Sequence, residues 1–236
     1  MSAPIRAIFF DAGNTLIRMD YSAIAAALAE HGVAATVGDI EHAEWRARVR
    51  LDASFHSGIS TEHPDTGHRY LVYLLEELGV RDPATVDALA AWRRAYNPPR
   101  GLWTAIEPGA AAAVALAREA GLRTAVISNS NGTAATILDA LDLSRHLDFV
   151  IDSSEVGVEK PDPRIFQIAL ARAAVKPAAA AYIGDLYSID VVGARAAGMQ
   201  AVLMDPGGCW GPRDCPTAPT ALHAVRLLLD ARSAQS

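Results

Sequence analysis

The chain contains five short apolar runs typical of buried β-strands, near residues 6–10, 123–127, 147–151, 179–183 and 201–204. The later runs are separated by alanine-rich stretches with helical spacing of their apolar positions, at about 109–121, 132–142, 162–174 and 188–198. Strands that alternate with helices predict βαβ units joined into a parallel sheet. We therefore expect an α/β fold, with a closing helix at about 219–232.

Residues 20 to about 100 have a different pattern, in which helical spacing is not interrupted by any convincing strand. The pattern predicts helices near 21–31, 39–56, 66–79 and 83–97. A helical block inserted after the first strand predicts a small cap on the main domain. We expect residues 1–18 and 101–236 to form the α/β core and residues 19–100 the helical cap, with hinges near Arg18–Asp20 and Asn97–Gly101.

Composition narrows the function classes. Of the 236 residues, 51% are hydrophobic and the formal net charge is −6. This predicts a folded protein with no basic face for nucleic acid. No apolar run approaches the ~20 residues that cross a bilayer, and the first eleven residues lack the apolar stretch of a secretory signal. We therefore expect a cytoplasmic protein without a membrane partner. The sequence carries no indication of an oligomeric state.

The two cysteines, Cys209 and Cys215, lie in a stretch rich in glycine and proline that we expect to be a loop from Cys209 to Pro219. Two cysteines without a neighbouring histidine cluster give little support for a structural zinc site and cannot form a disulfide framework. The chemistry of this chain must therefore be sought elsewhere.

Short polar clusters follow four of the predicted strands. They are Asp11 to Thr15, Ser128-Asn129, Lys160-Pro161, and Gly184-Asp185 with Asp190. The carboxyl ends of parallel strands meet at one edge of a sheet, where open α/β proteins build their sites. We expect these clusters to converge there.

Taken singly, the first three clusters allow more than one interpretation. Asp11 could be a nucleophile or a ligand for a hard metal ion, but an aspartate before a turn also caps helices. Ser128 and Asn129 could bind an anionic group, and they too are common capping residues. Lys160 is one of only two lysines and stands next to a proline, although an ordinary solvated loop lysine is the alternative.

Asp185 and Asp190 add an acidic pair after the fourth strand of the pattern. Mg²⁺ prefers a few carboxylates together with water and phosphate oxygens. Asp11, Asp185 and Asp190 would repel one another if they met without compensation, and a divalent cation with Lys160 relieves that repulsion. The pattern therefore indicates a Mg²⁺ site.

Together these clusters resemble the four motifs of the haloacid dehalogenase superfamily of hydrolases, which are mostly phosphatases. Residues 10–16 resemble the first motif and Ser128-Asn129 the second. Lys160-Pro161 resembles the third motif and residues 184–199 the fourth. The resemblance covers about residues 5–205. It implies a Rossmann-like core with a small α-helical cap inserted after the first motif.

The resemblance also implies roles for these residues. Asp11 would attack a phosphoryl group of a small phosphorylated substrate and form an aspartyl-phosphate. Mg²⁺ would be held by Asp11, the backbone carbonyl of Gly13, and Asp185. Phosphoryl oxygens would be bound by Thr15, Ser128, Asn129 and Lys160. Asp190 would support the metal site or Lys160.

One residue departs from the pattern of the family's phosphatases. Two positions after the nucleophile they have an aspartate that acts as acid and base, and here the residue is Gly13. Acid–base catalysis contributes ~10²–10⁴-fold, so hydrolysis of unactivated esters should be slow unless another group substitutes. Residues 55–68 of the cap contain candidates, with an ordinary exposed loop as the alternative. We expect Gly13→Asp to raise turnover.

Two other functions remain open. A 2-haloacid dehalogenase also lacks the second aspartate, but the resemblance associates Gly184-Asp185 with metal, which dehalogenases do not use. A non-catalytic protein could bind phosphate at the same site. A phosphonatase mechanism is excluded, because it needs a cap lysine and no lysine precedes Lys160.

Overall fold

The computed structural model describes residues 4–55, 60–96 and 101–234. Its strands, in chain order, are β1 Ala7–Phe10, β2 Ile17–Arg18, β3 Ala105–Ile106, β4 Arg123–Ser128, β5 Phe149–Asp152, β6 Ala180–Gly184, β7 Gln200–Met204 and β8 Thr217–Ala218. Its helices are α1 Tyr21–Glu30, α2 Val37–Asp52, α3 Pro64–Glu77, α4 Pro83–Tyr96, α5 Ala110–Glu119, α6 Ala134–Ala140, α7 Ser153–Val156, α8 Pro163–Ala173, α9 Val192–Ala196 and α10 Ala221–Ser233.

The main sheet has the order β5-β4-β1-β6-β7-β8, and each neighbouring pair is parallel. The predicted α/β fold with a parallel sheet is confirmed. Strand β1 lies in the middle, with Phe10 aligned with Val126 of β4 and Ile183 of β6. This register places the end of β1 directly between the ends of β4 and β6.

Both faces of this sheet are covered, which explains why its strands are almost continuously apolar. Ala7 and Phe9 of β1 belong to a buried cluster with α8 and α9, whereas Ile8 and Phe10 belong to a second cluster with α5 and α10. Side chains alternate between the two faces because successive residues of a strand point in opposite directions. The sheet is thus a rigid support for the residues at its carboxyl edge.

Helices α1 to α4 form the predicted helical insert between β2 and β3, and the described residues of the insert contain no strand. They share a hydrophobic cluster of their own, which includes Leu28, Ile40 and Leu74. Capping fixes where helices begin: Asp20 accepts a hydrogen bond from the backbone of α1, and Thr36 forms a capping box with Asp39 at α2. The insert therefore folds around its own core.

Strands β2 and β3 form a short antiparallel pair. They lie in the two segments that connect the α/β core with the insert, and they hold these segments side by side. The proposed division at residues 18 and 101 lies next to this pair, and it stays a prediction. Of the predicted hinge Asn97–Gly101, residues 97–100 lie outside the described residues.

The expectation of a plain loop from Cys209 to Pro219 was wrong at its end. Thr217 and Ala218 form β8, which pairs with Leu203 and Met204 and extends the sheet. Two residues are too few to show strand periodicity in a sequence. Over the described part of the chain, no helix combines the length and the apolar character that a membrane crossing requires.

Candidate active site

Lys160 and the aspartates after β1 and β6 meet at the carboxyl edge of the sheet. Lys160 Nζ lies 2.7 Å from Asp11 Oδ1 and 2.7 Å from Asp190 Oδ1. It also donates to the hydroxyl of Tyr182, at 2.9 Å. The lysine is 4% exposed, so it is not a solvated loop residue. Asp11 is followed by a turn and not by a helix, so it does not act as a helix cap.

Tyr182 was not predicted as a site residue, because it lies inside the apolar run of β6. Its hydroxyl donates to the backbone carbonyl of Ile127, at 2.8 Å. This bond leaves the hydroxyl oxygen to accept from Lys160. A hydroxyl-bearing residue within a buried strand is the one sequence signal that could have pointed to it.

Asp190 is held by the chain that precedes it. Its Oδ2 accepts a hydrogen bond from the backbone N–H of Leu186, at 2.9 Å, while Oδ1 faces Lys160. The carboxylate lies so close to β6 that a Cβ at Gly184 would be 2.4 Å from Asp190 Cγ. Glycine at position 184 is therefore a steric requirement of this site.

The carboxylates of Asp11, Asp185 and Asp190 form one buried cluster. One oxygen from each lies within 4.8 Å of the others. Carboxylate oxygens at this spacing are the hard donors that Mg²⁺ prefers. In addition, Asn14 Oδ1 is buried beside them and has no hydrogen-bond partner in the described part of the protein. These donors fit a divalent cation.

Burial governs the electrostatics of this cluster. It raises the pKa of Asp11, and the neighbouring charge of Lys160 opposes that shift. Burial also raises the pKa of Asp185, against the opposing charge of Arg48. The Lys160 ammonium loses hydration on burial, but its two carboxylate partners outweigh that loss and raise its pKa. The raised pKa favours the charged form of Lys160, and the buried carboxylates around it outnumber the two buried cations Lys160 and Arg48.

Asn129 connects the end of β4 to the Lys160 loop. Its Oδ1 accepts from the backbone N–H of Lys160, at 2.7 Å, and its Nδ2 donates to the Lys160 carbonyl, at 2.9 Å. The same Nδ2 donates to Thr61 Oγ1 of the insert, at 2.9 Å. The side chain therefore positions Lys160, and direct binding of a phosphoryl oxygen by Asn129 or by Ser128 stays a prediction.

Two residues of the first motif are placed differently from one another. Asn14 lines a cavity that lies between the insert and the sheet edge, called here the central cavity. Its φ of 49° is a left-handed conformation that asparagine tolerates better than most residues. Thr15 is fully buried, does not line the cavity, and its Oγ1 has no hydrogen-bond partner among the described residues. The structure thus brings Asn14 to the site, whereas it does not bring Thr15 to the cavity wall.

The space beside Gly13, where the family's phosphatases carry a carboxylate, is bounded by an indole ring. A Cβ built on Gly13 would lie 3.3 Å from Cζ3 of Trp103. Trp103 precedes β3 and lines the central cavity. Sequence reasoning missed this contact, because 90 residues separate the two positions.

Three side chains of the helical insert, Arg48, Glu44 and Tyr70, form a buried network that reaches Asp185 and Asn14, and they were not predicted. Arg48 is 1% exposed, with Nη1 3.6 Å from Asp185 Oδ2, and it also pairs with Glu44. Tyr70 donates to Glu44 and accepts from Asn14 Nδ2, at 3.1 Å. Asn14 Nδ2 also donates to Asp185 Oδ2, at 3.0 Å. The insert therefore contacts Asp185 through Arg48 and Asn14 through Tyr70.

These groups line a cavity of about 790 Å³ between the insert and the sheet edge. Its volume falls within the usual range of small-molecule sites, ~300–1,000 Å³. Its floor is formed by Asp11, Asp185, Asp190 and Lys160, and its roof includes residues of α3 and the loop before it. A molecule of metabolite size can occupy it.

Comparison with known proteins agrees with this geometry. Residues 5–198 match the model of the haloacid dehalogenase-like hydrolase family. The chain belongs to that family. The match includes all four polar clusters at the sheet edge, and it includes the helical insert.

Relatives and solved structures extend this finding. The chain is 33% identical over 210 residues to haloacid dehalogenase-like hydrolase domain-containing protein 3 of Bos taurus, covering 85% of this chain and 82% of that one. It is 43% identical over 101 residues to phosphoserine phosphatase of Thermus thermophilus, 42% and 41% of the two chains. In fold it is similar to the magnesium-bound HAD-hydrolase YfnB of Bacillus subtilis, with a TM-score of 0.65, 18% identity, and coverage of 96% and 98%.

Proposed function

We propose that this family member is a Mg²⁺-dependent phosphatase that acts on a small phosphorylated metabolite through an aspartyl-phosphate at Asp11. The observation that carries the proposal is Lys160, held 2.7 Å from both Asp11 and Asp190 at the floor of the cavity. This arrangement provides a buried carboxylate that can attack, together with a fixed positive charge that can bind phosphoryl oxygens. The buried carboxylate cluster and the phosphatase among the relatives support it.

In the proposed reaction, a carboxylate oxygen of Asp11 attacks phosphorus and the bond from phosphorus to the leaving-group oxygen breaks. Water then attacks the phosphorus of the aspartyl-phosphate, which releases inorganic phosphate and regenerates Asp11. Lys160 stabilises the negative charge on the phosphoryl oxygens in both steps. Asp190 and Tyr182 keep the lysine in place, and Asn129 fixes its backbone.

Mg²⁺ would be held by Asp11, the carbonyl of Gly13, and Asp185, and it would reduce the repulsion between the Asp11 carboxylate and a phosphate dianion. Asp185 accepts from Asn14 and faces Arg48 through Oδ2, so Oδ1 can still serve as a ligand. The charges of the described residues favour a dication here. Four buried acids, which include Glu44, face the two cations Lys160 and Arg48.

A panel of phosphate monoesters tests this proposal. We expect release of phosphate in the presence of Mg²⁺ and its loss when a chelator is added. If no ester is hydrolysed under either condition, the proposal is wrong.

Two alternatives are separated by companion assays with 2-haloacids and by measurements of Mg²⁺ and phosphate binding. A 2-haloacid dehalogenase would release halide from 2-haloacids even with a chelator present. A non-catalytic phosphate-binding protein, which the Trp103 ring beside Gly13 favours, would bind Mg²⁺ and phosphate without turnover. We place both below the phosphatase because the cavity keeps the buried acids and Lys160 together.

The missing carboxylate at position 13 leads to a first prediction. We expect Gly13→Asp to raise kcat for alkyl phosphates by about tenfold, which is less than the ~10²–10⁴-fold that a positioned acid contributes. The gain is limited because the indole of Trp103 must shift by a few tenths of an ångström to accept the new side chain. Steady-state kinetics with β-glycerophosphate measures it.

Gly13→Asn is the matched control for this substitution. It imposes the same steric demand on Trp103 but cannot transfer the proton. If Gly13→Asn raises kcat as much as Gly13→Asp does, the gain comes from a change of shape and not from acid catalysis.

A further inference from the structure

The proposed reaction needs a proton for the leaving group, and Gly13 cannot supply it. The described residues of the insert that line the cavity and carry an acidic, basic or imidazole side chain are Arg48, Glu62, His63, Asp65, His68, Arg93 and Arg94. Tyr70 also lines it, but its hydroxyl donates to Glu44. The question is which of them the fold holds against the phosphoryl site.

The loop that carries Glu62 is hydrogen-bonded to Asn129, which holds the backbone of Lys160, and to Glu159, the residue before the lysine. Thr61 Oγ1 accepts from Asn129 Nδ2, at 2.9 Å, and Asn129 also holds the backbone of Lys160. Ser60 Oγ donates to Glu159 Oε2, at 2.6 Å, one residue before the lysine. The loop is therefore registered to the catalytic lysine by two independent hydrogen bonds.

Glu62 itself is tied to this arrangement through its backbone. Its N–H donates to Ser60 Oγ, at 3.0 Å, the hydroxyl that binds Glu159. At the other end of the loop, Thr66 Oγ1 donates to the carbonyl of Ser60, at 2.7 Å. The backbone of Glu62 is therefore held in place, and its side chain lines the same cavity as Asp11.

Two neighbours are less suitable donors. The ring of His63 caps α3, with Nδ1 accepting from the backbone N–H of Asp65, at 3.2 Å. The Asp65 carboxylate lies in the first turn of α3, 3.6 Å from His63 Nδ1. His63, Asp65 and His68 therefore belong to α3 or to its cap, whereas Glu62 lies in the loop that Ser60 and Thr61 register to Lys160.

The surroundings of Glu62 favour a carboxyl that can be protonated near neutral pH. Glu62 lines the cavity while it remains exposed to solvent. Loss of hydration beside the cavity wall raises its pKa to about 7, and the carboxylates of Glu159, Asp152 and Asp11 act in the same direction, while Lys160 opposes them. The influence of Asp11 and Lys160 indicates that this carboxyl senses the charges of the phosphoryl site.

We propose that Glu62 is the acid–base residue of this hydrolase and replaces the carboxylate that is missing at position 13. As Asp11 attacks phosphorus, the Glu62 carboxyl gives its proton to the departing oxygen, so that an alcohol leaves. The Glu62 carboxylate then takes a proton from the water that attacks the aspartyl-phosphate, which restores the starting form. This inference rests on the proposed phosphatase function.

A leaving-group comparison tests this role. We expect Glu62→Gln to lower kcat/KM for β-glycerophosphate by about 10²-fold, since its alkoxide needs a proton. For p-nitrophenyl phosphate, whose leaving group departs unprotonated, kcat/KM should stay within about threefold, a difference too small for a lost acid–base group. For the same variant, slow hydrolysis should make the aspartyl-phosphate accumulate.

The pH dependence is a second readout. The protonated form of Glu62 is the active form in the first step, so kcat/KM for β-glycerophosphate should fall as pH rises through about 7. In Glu62→Gln this fall should disappear. A merely structural role for Glu62 would leave the shape of the profile unchanged.

Two further variants complete the design. Gly13→Asp in the Glu62→Gln background should restore at least about tenfold of the lost turnover, because it places an acid where the family's phosphatases have one. Glu30→Gln, at the exposed end of α1 and away from the cavity lining, should leave both esters unaffected.

The outcomes separate the two levels of the account. Equal losses with both esters, or no loss with either, would overturn the role of Glu62 while the wild-type protein remains an active phosphatase. Absence of turnover in the wild-type protein would instead overturn the proposed function itself, and the role of Glu62 with it.

Discussion

Asp11→Asn is expected to lower turnover of phosphate esters by about 10⁴-fold or more, a loss typical of removing a covalent nucleophile. The neutral amide is a poor nucleophile and cannot form the aspartyl-phosphate. Its size is nearly unchanged, so the cavity should keep its shape. Initial rates with p-nitrophenyl phosphate and Mg²⁺ measure the effect.

The fold of this variant should survive, because Asp190 still pairs with Lys160 at 2.7 Å. Asp162→Asn is a suitable control, since that carboxylate lies beside Arg164 away from the cavity lining and asparagine can keep its role as the N-cap of α8. A variant that keeps more than about a hundredth of the wild-type rate would show that a group other than Asp11 attacks phosphorus. Loss of a single acid–base group already lowers a rate by ~10²-fold, and loss of the nucleophile should lower it further.

Lys160→Met is expected to abolish turnover and also to destabilise the protein by about 3–5 kcal/mol, the cost of removing one partner of a buried ion pair. Methionine has a similar length but no charge, so Asp11 and Asp190 would remain buried without their shared partner. Urea unfolding measures the free energy, and ester hydrolysis measures the rate.

The pH dependence of this loss follows from the same charges. Burial raises the pKa of Asp11, and without Lys160 nothing opposes that shift as strongly. An acid with a raised pKa destabilises the folded state when it ionises as the pH rises. The loss of unfolding free energy in Lys160→Met should therefore become smaller as the pH falls. Lys176→Met, which removes the other lysine from an exposed position, should change neither stability nor rate. A Lys160→Met protein as stable as that control would contradict the buried network.

The sequence allowed the sheet and the meeting of its polar strand ends to be predicted, because both depend on local periodicity and on a general property of parallel sheets. Runs such as residues 6–10 and 179–183 became β1 and β6 with shifts of one residue. The convergence of Asp11, Lys160 and Asp185 then follows from strand geometry.

The roof of the site could not be predicted in the same way. Arg48 lies on the buried face of α2, where the spacing from Ile40 and Ala47 would suggest an apolar residue. A charged side chain in an apolar stripe signals a buried partner, but it does not identify Asp185, which is distant in sequence. The contact of Trp103 with Gly13 gives no sequence signal.

The docking of the Glu62 loop had the same limitation. Residues 55–68 offer candidates for a substitute acid in the sequence, with an ordinary exposed loop as the alternative, and of these His56 to Ile59 lie outside the described residues. The hydrogen bonds of Thr61 to Asn129 and of Ser60 to Glu159 span 68 and 99 residues. Only the folded arrangement distinguishes Glu62 from the histidines beside it.

The most direct test of the account is to identify the atom that becomes phosphorylated. The wild-type protein is mixed with p-nitrophenyl phosphate and Mg²⁺, quenched in acid during turnover, and reduced with borohydride, which converts an aspartyl-phosphate into homoserine. Peptide mass spectrometry should then find homoserine at position 11 and unchanged aspartate at positions 185 and 190. Turnover without any modification of Asp11, or with phosphate trapped on another residue, would contradict the account.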